Sequence, residues 1–352
     1  MLNMLEPGYF LYLIIFFASL ALAVVLVPYL RKTAFRLNFV DLPNQDHKTH
    51  LEPVPYLGGF SIVVPFILLC ALGSFYMDGT IHFTRTALFL VPSTIMAAVG
   101  FLDDFLNLPA KLRFVVQLAT SIIVSILLIL NGFTSKLTGN HIVDFFLSVL
   151  WIVGITNAFN LIDNVDGGAA GVTAVSSIAL FFLGVMSGQY LISMASICLS
   201  GASMGFLYWN KNPARIYLGD GGALFIGTVI AILFLQFEPE AESLIASVAI
   251  PILVLAVPIV DTSVVVTSRL AKGLSIFQGG RDHISHRLQN LGYSKSETAL
   301  ILWLLCSFFS IMGLILNLLE GSAENYLSIA SLGMLASSYI YFLRLSAQEK
   351  SS

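Results

Sequence analysis

Apolar positions in this chain neither alternate nor recur every three or four residues. They run on, unbroken, for a helix's length at a time. An α-helix needs about 20 apolar residues to cross the hydrocarbon core of a bilayer. Eleven candidate runs stand out: 9–30, 58–76, 86–102, 113–131, 144–162, 171–188, 190–209, 222–236, 243–267, 298–318 and 326–344. The run 222–236 is short, and 243–267 is long and interrupted by Pro251 and Pro258, so ten spans is the alternative count. The pattern predicts an all-α polytopic membrane protein, a single integral membrane domain over 1–352, with no internal repeat and no separate soluble domain. The first run lacks a basic flank before it and a small-residue cleavage site after it, and reads as a retained span.

Composition agrees with this picture. Hydrophobic residues make up 57% of the 352-residue chain and charged residues 11%, against roughly 25% charged in a soluble domain. Disorder, coiled coil and collagen are excluded by the same numbers. The 27 glycines and 12 prolines argue for helices with breaks and against a barrel of alternating strands. Cys70, Cys198 and Cys306 lie inside apolar runs without partners at metal-ligand spacing, and read as core residues.

Charge is distributed unevenly. With eleven spans, fifteen of the 17 Lys and Arg fall on one side, leaving only Arg85 and Lys136 on the other. The positive-inside rule makes the first side cytoplasmic, with the N-terminus outside and the C-terminus inside. The cytoplasmic side also gathers nine of the Asp residues. Short carboxylates clustered beside Lys, Arg and His point to divalent metal and phosphate chemistry on that face.

Four cytoplasmic segments carry that chemistry. The first is Gly100-Phe101-Leu102-Asp103-Asp104 with Lys111 downstream: two carboxylates at a helix end and a point charge for a diphosphate. It would serve equally to end a helix before Pro109. The second places Asn157, Asn160, Asp163 and Asp166 three residues apart, then Gly167-Gly168. On a helical end these four form one oxygen-rich stripe, the preference of magnesium. The third runs from Asn210 to Gly221, with Asp220 between two glycines before an apolar run and Tyr217 offering a ring to a base. The fourth, Gly279-Gly280-Arg281-Asp282-His283-Ile284-Ser285-His286-Arg287, can bind phosphate or orient a carboxylate. A fifth, His47-Lys48-Thr49-His50 followed by Pro53-Val54-Pro55 and Gly58-Gly59, reads either as a cap over the same site or as a stiff turn.

In this order, over about 41–290, these segments resemble the polyprenyl-phosphate N-acetylhexosamine-1-phosphate transferase family and its bacterial undecaprenyl-phosphate GlcNAc-1-phosphate members. The resemblance implies transfer of N-acetylhexosamine-1-phosphate from a UDP-sugar to undecaprenyl phosphate, with release of UMP and a requirement for magnesium, or manganese as a substitute. GlcNAc is the expected sugar. It implies a bacterial inner-membrane protein that initiates cell-surface polysaccharide synthesis, and it is compatible with a homodimer. Asp103, Asp104, Asp163 and Asp166 match the catalytic carboxylates. Asp220 matches the metal ligand, and Asn160 a neighbour touching the metal or diphosphate. Lys111 matches the diphosphate lysine. Asn157 belongs to the same substrate-binding run, Asn210 and Tyr217 fall where the family contacts uracil, and His283, His286 and Arg287 match the loop for the donor sugar and phosphate.

Departures narrow the choice. Ser285 stands where the family commonly has a third His, and Asn164 and Gly168 replace its commonest Gly and Leu. The absence of consecutive His residues disfavours the phospho-MurNAc-pentapeptide branch, which stays as the alternative within the family. An ion-coupled transporter, the alternative in another class, needs charges near span centres, whereas these Asp residues sit at span ends. The basic residues are those membrane orientation requires, so nucleic acid is not an expected partner.

Overall fold

The structure, a computed structural model, describes residues 7–41, 53–76, 80–133, 138–276 and 280–348. The His47-Lys48-Thr49-His50 cluster and Gly279 lie outside the described residues. In chain order the helices are α1 (Pro7–Arg36), α2 (Phe60–Tyr76), α3 (Thr80–Leu106), α4 (Ala110–Leu130), α5 (His141–Ile162), α6 (Gly168–Met186) and α7 (Tyr190–Asn210). They continue as α8 (Gly219–Gln236), α9 (Leu244–Val254), α10 (Ala256–Ala271), α11 (Ile284–Asn290), α12 (Lys295–Leu316) and α13 (Gly321–Gln348). Among the described residues the only strands are β1 (Val40–Asp41) and β2 (Val54–Pro55), paired antiparallel with Val40 opposite Pro55.

Among the described residues ten helices are long and apolar enough to cross a membrane, and α9 with α10 makes an eleventh span if the bent pair is counted as one. Ten of the eleven apolar runs found in the sequence each fall on one long helix, and the eleventh, 243–267, falls on the pair α9 and α10. The protein is an all-α polytopic membrane protein.

The long run 243–267 differs from a simple span. It breaks at Leu255, and α9 and α10 meet there at 81°. The ring of Pro258 would collide with the carbonyl of residue 254 in a continuous helix, and it has no N–H to donate to that oxygen. The freed Val254 oxygen is satisfied from other helices, by the Ser176 hydroxyl at 3.0 Å and the Cys306 thiol at 3.8 Å. A broken helix at membrane depth survives only when such partners replace the lost bonds.

Helix α8 is the most buried of the spans, with 89% of its apolar stretch buried inside the protein, against 22% for the outlying α13. Close contact between α3 and α8 depends on glycine. A Cβ on Gly100 would lie 2.5 Å from the carbonyl of Asp220. This approach brings the acidic end of α3 against the N-terminus of α8. The β1–β2 hairpin docks beside them. Tyr217 donates its N–H to the Pro55 oxygen at 2.8 Å, and Gly58 and Gly59 donate theirs to the Tyr217 and Leu218 oxygens at 3.0 and 2.9 Å.

Candidate active site

The site begins with an exposed helix start. The first amides of α8 have no partner within their own helix. Asp104, in the last turn of α3, supplies one from 116 residues away: its carboxylate accepts the N–H of Asp220 at 3.0 Å and of Gly221 at 3.2 Å. Gly219 makes room with φ +76°, since a Cβ there would lie 2.7 Å from Asp104 Oδ2. Asp104 thus caps α8 from outside.

Asp220, so fixed, meets two groups. Its Oδ1 accepts from Asn160 Nδ2 at 2.9 Å, and its Oδ2 accepts from Arg113 at 2.6 Å. The same Arg113 nitrogen also donates to Asp103 Oδ2. One guanidinium therefore bridges the end of α3 and the start of α8. Asp163 stands beside these groups. Burial first, and then the charges of Asp220, Asp104 and Asp166, push its carboxyl up to about 8.

Arg113 is the residue sequence reasoning missed. Lys111, its expected counterpart, is exposed. Successive helical residues turn by about 100°, so positions 111 and 113 point nearly opposite ways. The buried face of α4 contains Gln117 and Ser121, which follow Arg113 at four-residue steps. That periodicity was the available signal.

The expected stripe of four polar groups is corrected as well. Helix α5 ends at Ile162, and Asp163 leaves helical geometry with ψ 49°. Asn157 turns to α4, donating to Gln117 Oε1 at 2.8 Å. Asp166 turns to the loop after α7, accepting from Asn212 Nδ2 at 2.7 Å and the Ala214 N–H at 3.2 Å. Only Asn160 of the set touches Asp220, while Asp163 keeps an electrostatic link to it.

Two further residues brace the backbone. The Asn210 amide accepts the Gly167 N–H at 3.0 Å and donates to the Ile216 oxygen at 2.9 Å. Arg287 donates to the Asp282 oxygen at 2.9 Å and the Phe342 oxygen at 2.7 Å, tying α11 to the end of α13. Both were expected to face substrate; the Asn210 side-chain amide and the Nε and Nη1 of Arg287 hold backbone groups. Tyr217 is half-buried, its ring 5.8 Å from that of Tyr56. Burial, then the charges of Asp166 and Asp41, push its hydroxyl up, so it remains a neutral phenol. His283 and His286 lie with ring centroids 6.1 Å apart at the start of α11. Burial, followed by His283 and Arg281, holds His286 below its usual value.

Among the described residues no three His, Cys, Asp or Glu close into a ready-made metal cage. Asp220 and Asn160, joined at 2.9 Å, are the oxygen donors that could take part in holding a magnesium ion, which usually takes one or two carboxylates and completes its shell with water and substrate phosphate.

A groove lies between α5, the C-terminal end of α8 and the α9–α10 bend, and it comes nearest to the site in sequence at Ala158, two residues before Asn160. It has a volume of about 450 Å³ and apolar walls that include Leu147, Trp151, Ile155, Phe234, Pro251 and Ile259. It runs from Asp144 at the start of α5 to Ala158 near its end.

A membrane-embedded transferase is the class that this fold and these likenesses define. Residues 86–238 match the model of glycosyl transferase family 4. The chain is 33% identical over 331 residues to a probable undecaprenyl-phosphate N-acetylglucosaminyl 1-phosphate transferase of Bacillus subtilis, covering 93% of this chain and 89% of that one. It is 27% identical over 302 residues to a decaprenyl-phosphate N-acetylglucosaminephosphotransferase of Mycobacterium tuberculosis, covering 78% and 74%. It is 26% identical over 318 residues to a phospho-N-acetylmuramoyl-pentapeptide-transferase of Staphylococcus saprophyticus, covering 84% and 96%. The chain belongs to glycosyl transferase family 4, the polyprenyl-phosphate N-acetylhexosamine-1-phosphate transferases.

Proposed function

We propose that the protein transfers GlcNAc-1-phosphate from UDP-GlcNAc to undecaprenyl phosphate on the cytoplasmic face of the bacterial inner membrane, initiating a cell-surface polysaccharide. The observation that carries this reading is the 33% identity, over nearly the whole chain, to a relative bearing that name. The geometry of the site supports it.

The acceptor's phosphate oxygen attacks the sugar-side phosphorus of the diphosphate. A new P–O–P bridge forms, the old one breaks, and its oxygen leaves with UMP. Two anions must approach each other, so charge neutralisation is the main requirement. Arg113 is poised for it, with Asp103 and Asp220 as its present counter-ions. Asp220 and Asn160 would hold magnesium, which supplies further positive charge to the diphosphate. The acceptor phosphate, with a second pKa near ~6, is already largely dianionic at neutral pH, so a general base is a weak requirement. Asp103 then acts by orienting Arg113, and Asp104 by fixing the start of α8. The apolar groove suits the isoprenoid tail.

The test uses the full chain in nanodiscs containing undecaprenyl phosphate, offered radiolabelled UDP-GlcNAc, UDP-GalNAc or UDP-MurNAc-pentapeptide. Label should pass to lipid from UDP-GlcNAc with equimolar UMP, stop in EDTA, and resume with magnesium. Preference for the pentapeptide donor would move the protein to the other branch, and transfer from none would overturn the reading.

A further inference from the structure

One buried carboxylate is not used by this chemistry. Asp261 lies within α10, 1% exposed, inside a run that reads in sequence only as a span. A carboxylate at such a place is costly unless it is fully engaged. Its partners are two successive residues of the His-containing turn. Oδ2 meets His283 Nδ1 at 2.8 Å, and Oδ1 accepts the Ile284 N–H at 2.7 Å. Both residues are themselves buried.

Their neighbours are anchored too. Ser285 donates its hydroxyl to Asn164 Oδ1, next to Asp163, and Asn164 is tied in turn to the Leu161 oxygen at 2.7 Å. These are two of the positions at which the sequence departs from the family's commonest residues, and they meet. On the other flank Asp282 returns to α10, accepting from Lys272 and, at 3.2 Å, from Ser268, with Arg269 3.5 Å away. Burial alone would raise the Asp282 carboxyl; Lys272, Ser268 and Arg269 outweigh it and hold it low. Four consecutive residues, 282 to 285, thus each have an anchor.

We propose that Asp261 is a positioning residue that acts through His283, and that Asp261 and Asn164 together clamp the turn 283–285 between α10 and the acidic loop after α5. A carboxylate only accepts, so the ring proton sits on Nδ1 and Nε2 is directed away from α10. A histidine that must meet a phosphate or a sugar hydroxyl needs one ring orientation and one tautomer, and a carboxylate on the opposite nitrogen sets both. The proposal rests on the function given above and on the sequence resemblance that assigns this turn to the sugar donor. It adds the specificity element of this chain: the Ser285–Asn164 bond fixes the turn's distance from Asp163.

The test uses the full chain in nanodiscs. Asp261→Asn keeps the shape but puts an N–H₂ where an acceptor stood, favouring the other tautomer. Its kcat/KM for UDP-GlcNAc should fall roughly 10–100-fold, the range for residues that orient a working histidine. The double variant with His283→Ala should be no worse than His283→Ala alone, because the two act as one unit. Losses that multiply would overturn the proposal, since a residue that only packs would contribute independently. Asn164→Ala and Ser285→Ala should likewise raise the donor KM by the same factor singly and together; multiplying effects would overturn that arm. A measurement on the unaltered chain stands apart from any folding defect. The ¹⁵N-histidine spectrum, with His283 assigned by its loss in His283→Ala, should show a protonated Nδ1. A bare Nδ1 overturns the proposal. Failure of the unaltered chain to transfer sugar phosphate would count against the function alone, and the spectrum would still decide the clamp.

Discussion

Arg113 and Asp220 meet at 2.6 Å across 107 positions of sequence, and the same guanidinium nitrogen holds Asp103. A permanent cation is therefore in place before any substrate arrives, between carboxylates that would otherwise repel a diphosphate. Arg113→Ala should lower kcat/KM for UDP-GlcNAc at least ~10-fold, about 1.4 kcal/mol of barrier. Lys111→Ala should change it by less than ~3-fold, as expected of an exposed charge screened by solvent. Initial rates for both variants decide the matter; a larger loss at Lys111 would reverse the assignment.

Asp104 is expected to behave differently from Asp220. Its oxygens hold the first amides of α8, so Asp104→Ala should destabilise the protein by ~1 kcal/mol, the usual cost of losing a cap. Asp104→Asn should recover part of that, because one oxygen can still accept. Thermal unfolding in detergent checks the order. Equal melting temperatures for Ala, Asn and the native residue would remove the capping role.

Asp163 gives a pH signature in metal-free protein. Its folded-state pKa of about 8 lies above the ordinary 3.8, so the folded protein binds the extra proton between those values. Stability from this group is full below about pH 4, declines as pH rises, and is gone above about 8. In EDTA, Asp163→Asn should raise the melting temperature more at pH 9 than at pH 5. The opposite trend would mean that the carboxyl is ionised without penalty.

The groove can be filled from Gly154, where an added Cβ meets open space. Gly154→Trp should raise the KM for undecaprenyl phosphate at least ~10-fold, or about 1.4 kcal/mol of binding. The KM for the sugar nucleotide should stay unchanged. An equal rise in both would show that the groove does not hold the tail.

Orientation is open to direct labelling, since Cys70, Cys198 and Cys306 are buried and leave a quiet background. In intact cells Ser322→Cys should react with an impermeant thiol reagent, and Tyr293→Cys should not. The reversed result would put the acidic site on the outer face.

The spans were legible in the sequence because crossing a membrane is a matter of length and apolarity, both local properties. The place of Asp220 at the start of a span was legible because glycines flank it just before an apolar run. Asp104 as a cap was not, for the amides it holds lie 116 residues away. Arg113 was hidden by a nearer lysine, and only the buried face of α4 separates them. Asp261 was hidden by its surroundings, since one carboxylate in an apolar run carries no periodicity. The stripe failed at Asp166 because spacing describes a helix only while the helix lasts, and α5 stops at Ile162; Asn157, within α5, is drawn to Gln117 on α4 instead.

The 81° break at Leu255 has a consequence for how the reaction is counted. Because α9 stops short and α10 leaves at an angle, the groove has no complete wall, and its rim residues Leu147 and Leu150 are 41% and 69% exposed to the surroundings. On the reading that this groove takes the acceptor's tail, the tail slides in sideways and never leaves the bilayer. The variable that sets its occupancy is then a mole fraction in two dimensions, not a molarity in three. Adding phospholipid to a fixed amount of acceptor would slow such an enzyme, while diluting the whole suspension with buffer would leave its rate for that substrate untouched.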